Sequence, residues 1–105
     1  MARFDASQGP DGVAVLRVEG EIDLAVVDEL IGTMRRALES GEALEVDFEG
    51  VTFIDSSGLG ALVMVSKEAT SAGKSFGLVN VHTTAQRLLR LSGLHEMLVK
   101  QDPQP

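Results

Sequence analysis

Apolar residues recur along this chain at two spacings, and each change of spacing marks an element. "ARFDA" and "GVAVLRVEG" read as two short strands. Between them "SQGPDG" supplies Gly, Pro and Asp, the residues of a turn. In the second strand Val13 and Val15 alternate with Ala14, Leu16 and Val18, so both faces are apolar. That pattern predicts an interior place in a sheet. "GEID" closes the strand: Gly20 permits a turn, and Asp23 suits a helix N-cap. Val27, Leu30, Ile31, Met34 and Leu38 then follow at spacings of three and four. They predict an amphipathic helix from Leu24 to Glu39. Asp28 and Glu29 lie at its positive end, Arg35 and Arg36 near its last turn, and Gly41 is its stop.

"ALEVDFEG" alternates strictly. Leu44, Val46 and Phe48 are expected on a buried face, and Glu45, Asp47 and Glu49 on a wet one. "VTFID" follows and leads to two serines. After them Leu59, Leu62, Val63, Ser66 and Ala69 trace a helical face that ends near Gly73. "KSFGLVN" reads as a strand, and "TTAQRLLRLSGL" as a short helix capped by Thr83 or Thr84 and stopped by Gly93. "EMLVK" is expected to be a last strand, and residues 101–105 a flexible C-terminal tail. The order β-β-α-β-α-β-α-β predicts one α/β domain over residues 1–100. Its sheet would be mixed and mostly parallel, with an antiparallel N-terminal hairpin strand, and packed against α-helices. The methionines at 34, 64 and 97 sit in apolar stretches and are expected to fill core.

Composition narrows the function classes. The 105 residues carry 16 acids against 9 bases, a net charge of −7, and the bases are scattered. Direct binding to nucleic acid is therefore not expected. No cysteine is present, which removes disulfides and thiolate chemistry. "MARFDASQGP" lacks the apolar stretch of a signal peptide, and the longest apolar run, "LGALVMV", falls far short of a membrane span. The expected location is the cytoplasm, without membrane contact.

The unusual chemistry sits in "FIDSSGLGAL", residues 53–62. Here an acid precedes two adjacent hydroxyls where a strand gives way to a helix. Ser56 and Ser57 fall at the N-terminus of that helix, where unpaired N–H groups and the macrodipole favour a phosphate. Gly58 and Gly60 lack a Cβ that would block another molecule's approach. Capping alone also accounts for a serine here, for Asp23 and, through turn contacts, for Asp55. Enzyme motifs do not fit. A nucleophile elbow needs Gly-x-Ser-x-Gly, and a P-loop needs Lys after its last glycine. His82 and His95 are placed neither to serve a serine triad nor, without an acid cluster, to hold a metal. No catalytic residue, metal or cofactor is expected in the chain itself.

With "GEID" after the second strand, "VTFIDSSGLGAL" in the middle and "RLLRLSGLHEML" near the end, the chain resembles STAS domains from about Phe4 to Val99. Within them it is most similar to the bacterial anti-sigma factor antagonists. The resemblance implies a binding module that is switched by phosphorylation. Its partner would be an anti-sigma factor with a histidine-kinase-like ATPase fold that acts as a serine kinase and supplies the base and Mg²⁺. The unphosphorylated form would bind this partner and free a sigma factor, and a serine phosphatase would reset the phosphorylated form. Ser57 is the acceptor by resemblance, since the residues alone leave Ser56 and Ser57 equivalent. Asp23, Asp55 and Ser56 would form the phosphosite environment, and Gly58, Leu59 and Gly60 the helix start that docks on the partner. A second reading is a STAS subunit that works without phosphorylation in a larger assembly, such as a lipid-transport ABC complex or a stress-signalling scaffold.

Overall fold

The computed structural model of the protein describes residues 2–99. The expected tail at 101–105 lies outside the described residues. Strand β1 (Ala2–Gln8) runs antiparallel to β2 (Val13–Ile22), as the turn residues between them require. Asp11 and Gly12 both take positive φ there, at 59° and 77°, which closes the hairpin through a short 3-10 turn. A second 3-10 turn, Leu24–Val26, precedes helix α1 (Val27–Glu39), so the α-helix proper begins three residues later than the apolar spacing suggested. β3 (Ala43–Ile54) pairs in parallel with β2 on one side and with β4 (Ser75–Val79) on the other. Helix α2 (Ser56–Ser71) makes the crossover between β3 and β4. The sheet order is β1-β2-β3-β4, mixed and mostly parallel as expected.

Packing explains why these segments stay put. Leu16, Val18 and Ile22 from β2, Val46 and Phe48 from β3, and Leu78 from β4 are fully buried. They meet Leu30 and Met34 of α1 and Leu62 and Val65 of α2 in one core. Burying each such side chain contributes roughly 1.5–3 kcal/mol. Outside the core, Arg35 of α1 grips Glu68 of α2 with two hydrogen bonds, at 2.9 and 2.6 Å. The Lys74 ammonium donates to the Leu38 carbonyl near the end of α1.

Four sequence expectations fail. "EMLVK" is not a strand: α3 (Thr83–Leu91) is followed by one helical turn, α4 (His95–Leu98). Leu94 and Leu98 are four residues apart and both turn inward, a spacing that a helical turn serves and a strand does not. Among the described residues of this segment only Val99 pairs with the sheet, through a single parallel bridge to Leu78. The N-cap position of α3 is His82 rather than Thr83 or Thr84. Asp47 is not on a wet face but buried at 9% exposure. It lies opposite Arg17 in the β2–β3 register, with Arg17 Nε 3.9 Å from Oδ2. Its Oδ1 accepts from Asn80 Nδ2 at 3.0 Å and from the Glu49 amide at 2.9 Å. A carboxylate so partnered can be buried at tolerable cost. Among the methionines Met34 is core, but Met64 and Met97 are exposed.

Candidate functional site

The site is assembled where β2 and β3 end. Ile22 and Ile54 are paired in register, and each is followed by an aspartate. The register slips between Arg17 and Glu19 and again between Gly20 and Glu21, so β3 carries extra residues against β2. Gly20, at φ 92°, takes a conformation that other residues avoid, and it allows this bend. The result is two loops side by side at the C-terminal edge of a parallel pair, a usual place for recognition in α/β sheets.

Each aspartate caps the turn or helix that it precedes. Asp23 is extended and its Oδ1 accepts from the Ala25 amide at 3.1 Å. Asp55 is likewise extended and caps α2, with Oδ1 accepting from the Ser57 amide at 3.0 Å and the Gly58 amide at 3.2 Å. The Asp55 amide donates to the Ile22 carbonyl at 3.1 Å, which ties the two loops together. The Ser57 hydroxyl donates to Asp55 Oδ1 at 2.5 Å. That bond, more than any other contact, holds the Asp55 carboxyl below the usual carboxylate range, and the amides of Gly58, Ser57 and Leu24 add to it.

The sign of this shift sets a pH dependence. A carboxyl lowered by folding stabilises the fold at all pH above its unfolded value, and the contribution is lost as pH falls through the lowered folded value. Followed by carbon NMR of its carboxyl, Asp55 should titrate below an ordinary aspartate (about 3.9). In Ser57→Ala the midpoint should move back up, since the largest cause has been removed. An unmoved midpoint would show that the hydroxyl does not govern this carboxyl.

The structure brings Asp55, Ser56, Ser57, Gly58, Leu59 and Gly60 together at the start of α2, with Asp23 on the adjoining loop. It also separates their situations. Ser56 and Gly60 are exposed, and Ser57 is half-buried. Gly58 and Leu59 are buried, so the surface offered to another molecule here is Ser56, Ser57 and Gly60. A Cβ on Gly60 would meet nothing within 4 Å, whereas one on Gly58 would press on Ile22 and Ile54. The missing side chain at 58 thus serves the core, and the one at 60 leaves the surface open. Two residues that the sequence did not mark for this role extend that surface. Leu24 is 76% exposed, one residue after Asp23, and Met64 lies one turn beyond Gly60 on the same face of α2. Leu24 falls outside the apolar stripe of α1, which was the one signal that could have marked it.

Comparison with known proteins agrees with this geometry. The family model described as "Mlab, STAS domain" matches residues 6–100. The anti-sigma-F factor antagonist RsfB of Mycobacterium tuberculosis is 37% identical over 87 residues, which cover 80% of this chain and 69% of RsfB. An anti-sigma factor antagonist from Mycobacterium paratuberculosis superposes with a TM-score of 0.78 at 26% identity, covering 93% of this chain and 83% of that one. The Bacillus protein SpoIIAA shares the fold at 22% identity in both its unphosphorylated and its phosphorylated form. The TM-scores are 0.79 and 0.73, each over 95% of this chain and over 89% and 92% of the SpoIIAA chains. Such relatives are regulatory binding proteins rather than enzymes. This chain belongs to the STAS domain family, and its named relatives there are anti-sigma factor antagonists.

Proposed function

We propose that this protein is an anti-sigma factor antagonist whose hold on its partner is released by phosphorylation of Ser57. The observation that carries the reading is the placement of the Ser57 hydroxyl. It stands at the N-terminus of a sixteen-residue helix, bonded to Asp55 and half-buried between the exposed Ser56 and Gly60. Unmodified, that surface takes an anti-sigma factor that is itself a serine kinase of the histidine-kinase-like ATPase fold, and so frees a sigma factor. ATP bound to that partner supplies the phosphoryl group. A phosphate on Ser57 adds about −1.5 to −2 charge next to Asp55, with Asp23 on the adjoining loop. The helix terminus tolerates that charge, so the domain stays folded while the contact is lost. A serine phosphatase restores the binding form. Partner exchange of this kind belongs in the cytoplasm and uses neither nucleic acid nor membrane. Among the described residues no helix is long and apolar enough to cross a membrane.

Paired affinity capture from the native lysate tests the reading. Ser57→Ala is expected to retain a histidine-kinase-like ATPase and Ser57→Asp to lose it. If both baits hold the same partner, or if only transporter subunits are captured, the switch is wrong and the Ser57–Asp55 contact only steadies the start of α2 in a structural subunit.

A further inference from the structure

We propose that Asp55 activates its own chain for phosphorylation: its carboxylate holds the Ser57 hydroxyl in place, selects it over Ser56, and takes its proton as the phosphoryl group arrives. This rests on the proposed phosphorylation switch and assigns part of its chemistry to the substrate rather than the kinase.

Two chemically identical hydroxyls stand one residue apart, and the structure treats them differently. Asp55 Oδ1 takes three donors, the Ser57 hydroxyl at 2.5 Å and the amides of Ser57 and Gly58 at 3.0 and 3.2 Å. The Ser56 side chain is exposed and makes no hydrogen bond among the described residues. A free serine hydroxyl spreads over three staggered rotamers, whereas a bonded one is confined to a single rotamer. Phosphoryl transfer depends mainly on positioning the nucleophile in line with the leaving oxygen. Ser57 meets that demand before any partner arrives, and Ser56 does not.

The direction of the bond matters as well. With O–H aimed at Asp55, the lone pairs of Ser57 Oγ are left to face the incoming phosphorus. In the transfer the Oγ–P bond forms as the bond from the γ-phosphorus to the ADP oxygen breaks. The hydroxyl proton passes along the existing hydrogen bond to Asp55 Oδ1. Contact at 2.5 Å falls in the range of hydroxyl-to-carboxylate bonds, so the proton needs little travel. The lowered pKa of Asp55 keeps the carboxylate an acceptor at neutral pH but makes it a weak base in the resting protein. The new phosphate dianion then raises that pKa, which favours the protonated acid long enough for the proton to pass to water.

Asp55→Asn is the informative variant, because Asn caps a helix as well as Asp does and can still accept from the Ser57 hydroxyl, but cannot take its proton. The assay is single-site phosphorylation by the ATPase captured with the Ser57→Ala bait, supplied with MgATP and read by site-resolved mass spectrometry. We expect phosphate on Ser57 and not on Ser56 in the wild-type protein. In Asp55→Asn we expect kcat to fall at least tenfold, in keeping with the loss of a general base, with KM for the protein changed no more than a few-fold. In Asp55→Gly, a tolerated cap without an acceptor, phosphate should also appear on Ser56. Wild-type kcat in Asp55→Asn overturns the proposal while leaving the switch intact. A wild-type protein that binds the ATPase and takes no phosphate overturns the switch, and the proposal with it.

Discussion

Gly58→Ala is expected to lower stability by about 1–3 kcal/mol, the cost of forcing a methyl group into a packed site. Gly60→Ala, two positions on, is expected to raise stability by up to about 1 kcal/mol, the helix propensity of alanine over glycine. The contrast follows from what each added Cβ would meet. At 58 it would stand 2.7 Å from Ile22 Cγ2 and 2.8 Å from Ile54 Cγ1. Both isoleucines are buried, and β-branched side chains have little freedom at χ1 to move aside. The backbone must give instead, and Ile22 and Ile54 are the residues just before Asp23 and Asp55. A shift there disturbs both caps and the Ser57 hydroxyl. At 60 the Cβ would enter open space, on the surface proposed to meet the partner. Urea unfolding of the two variants checks the pair. Equal midpoints at equal slopes would mean that α2 can lift from the sheet without cost, against the packing described above. A large polar residue at 60 should then leave folding intact and weaken the partner, which separates surface from core within a single turn of helix.

Periodicity made most of this fold legible. The apolar spacing located all four sheet strands and the three longer helices, because a half-buried strand and an amphipathic helix each leave a regular mark. What failed was local and tertiary. The four residues of α4 are too few to show a period, and Leu94 and Leu98 declare it only once both are known to face the core. Alternation assigned Asp47 to the same face as Glu45 and Glu49. No sequence rule could foresee that Asn80, 33 residues on and at φ 56°, would turn its amide onto that carboxylate. In the site, cap chemistry identified Asp23 and the turn residues identified Asp55, but the sequence left the two serines equivalent. Their difference arises from the helical turn, which folds the residue two positions after the cap back onto the cap's side chain and leaves the next-door residue facing out. Gly58 and Gly60 look alike in the sequence for the same reason: which glycine faces the sheet depends on the phase of α2 relative to Ile22 and Ile54.

Phosphorylation of Ser57 is expected to weaken the complex with the anti-sigma factor by about 100-fold or more. Tenfold in affinity is about 1.4 kcal/mol, so the change asks for only two such steps. A dianion brought into a packed contact that already holds carboxylates pays for its lost hydration and meets like charge, and each of those terms is commonly several kcal/mol when uncompensated. Asp55 makes the conflict sharper. It already occupies the Ser57 and Gly58 amides, so a phosphate must either displace it from them or stand against it. Either way a carboxylate or a phosphate oxygen is turned outward, toward the partner. Ser57→Asp, with one charge and a shorter reach, should reproduce the direction of the effect at a smaller magnitude. Salt offers an independent check. Exposed charges are screened over roughly 8 Å at physiological ionic strength and about 3 Å at 1 M. If repulsion drives release, the gap between the two forms should narrow as salt rises. Titration calorimetry of phosphorylated and unmodified protein at two ionic strengths reads both quantities. Affinities within threefold of each other at low salt would rule out the switch. A wide gap that ignores salt would instead assign release to the shape of the rebuilt helix start rather than to its charge.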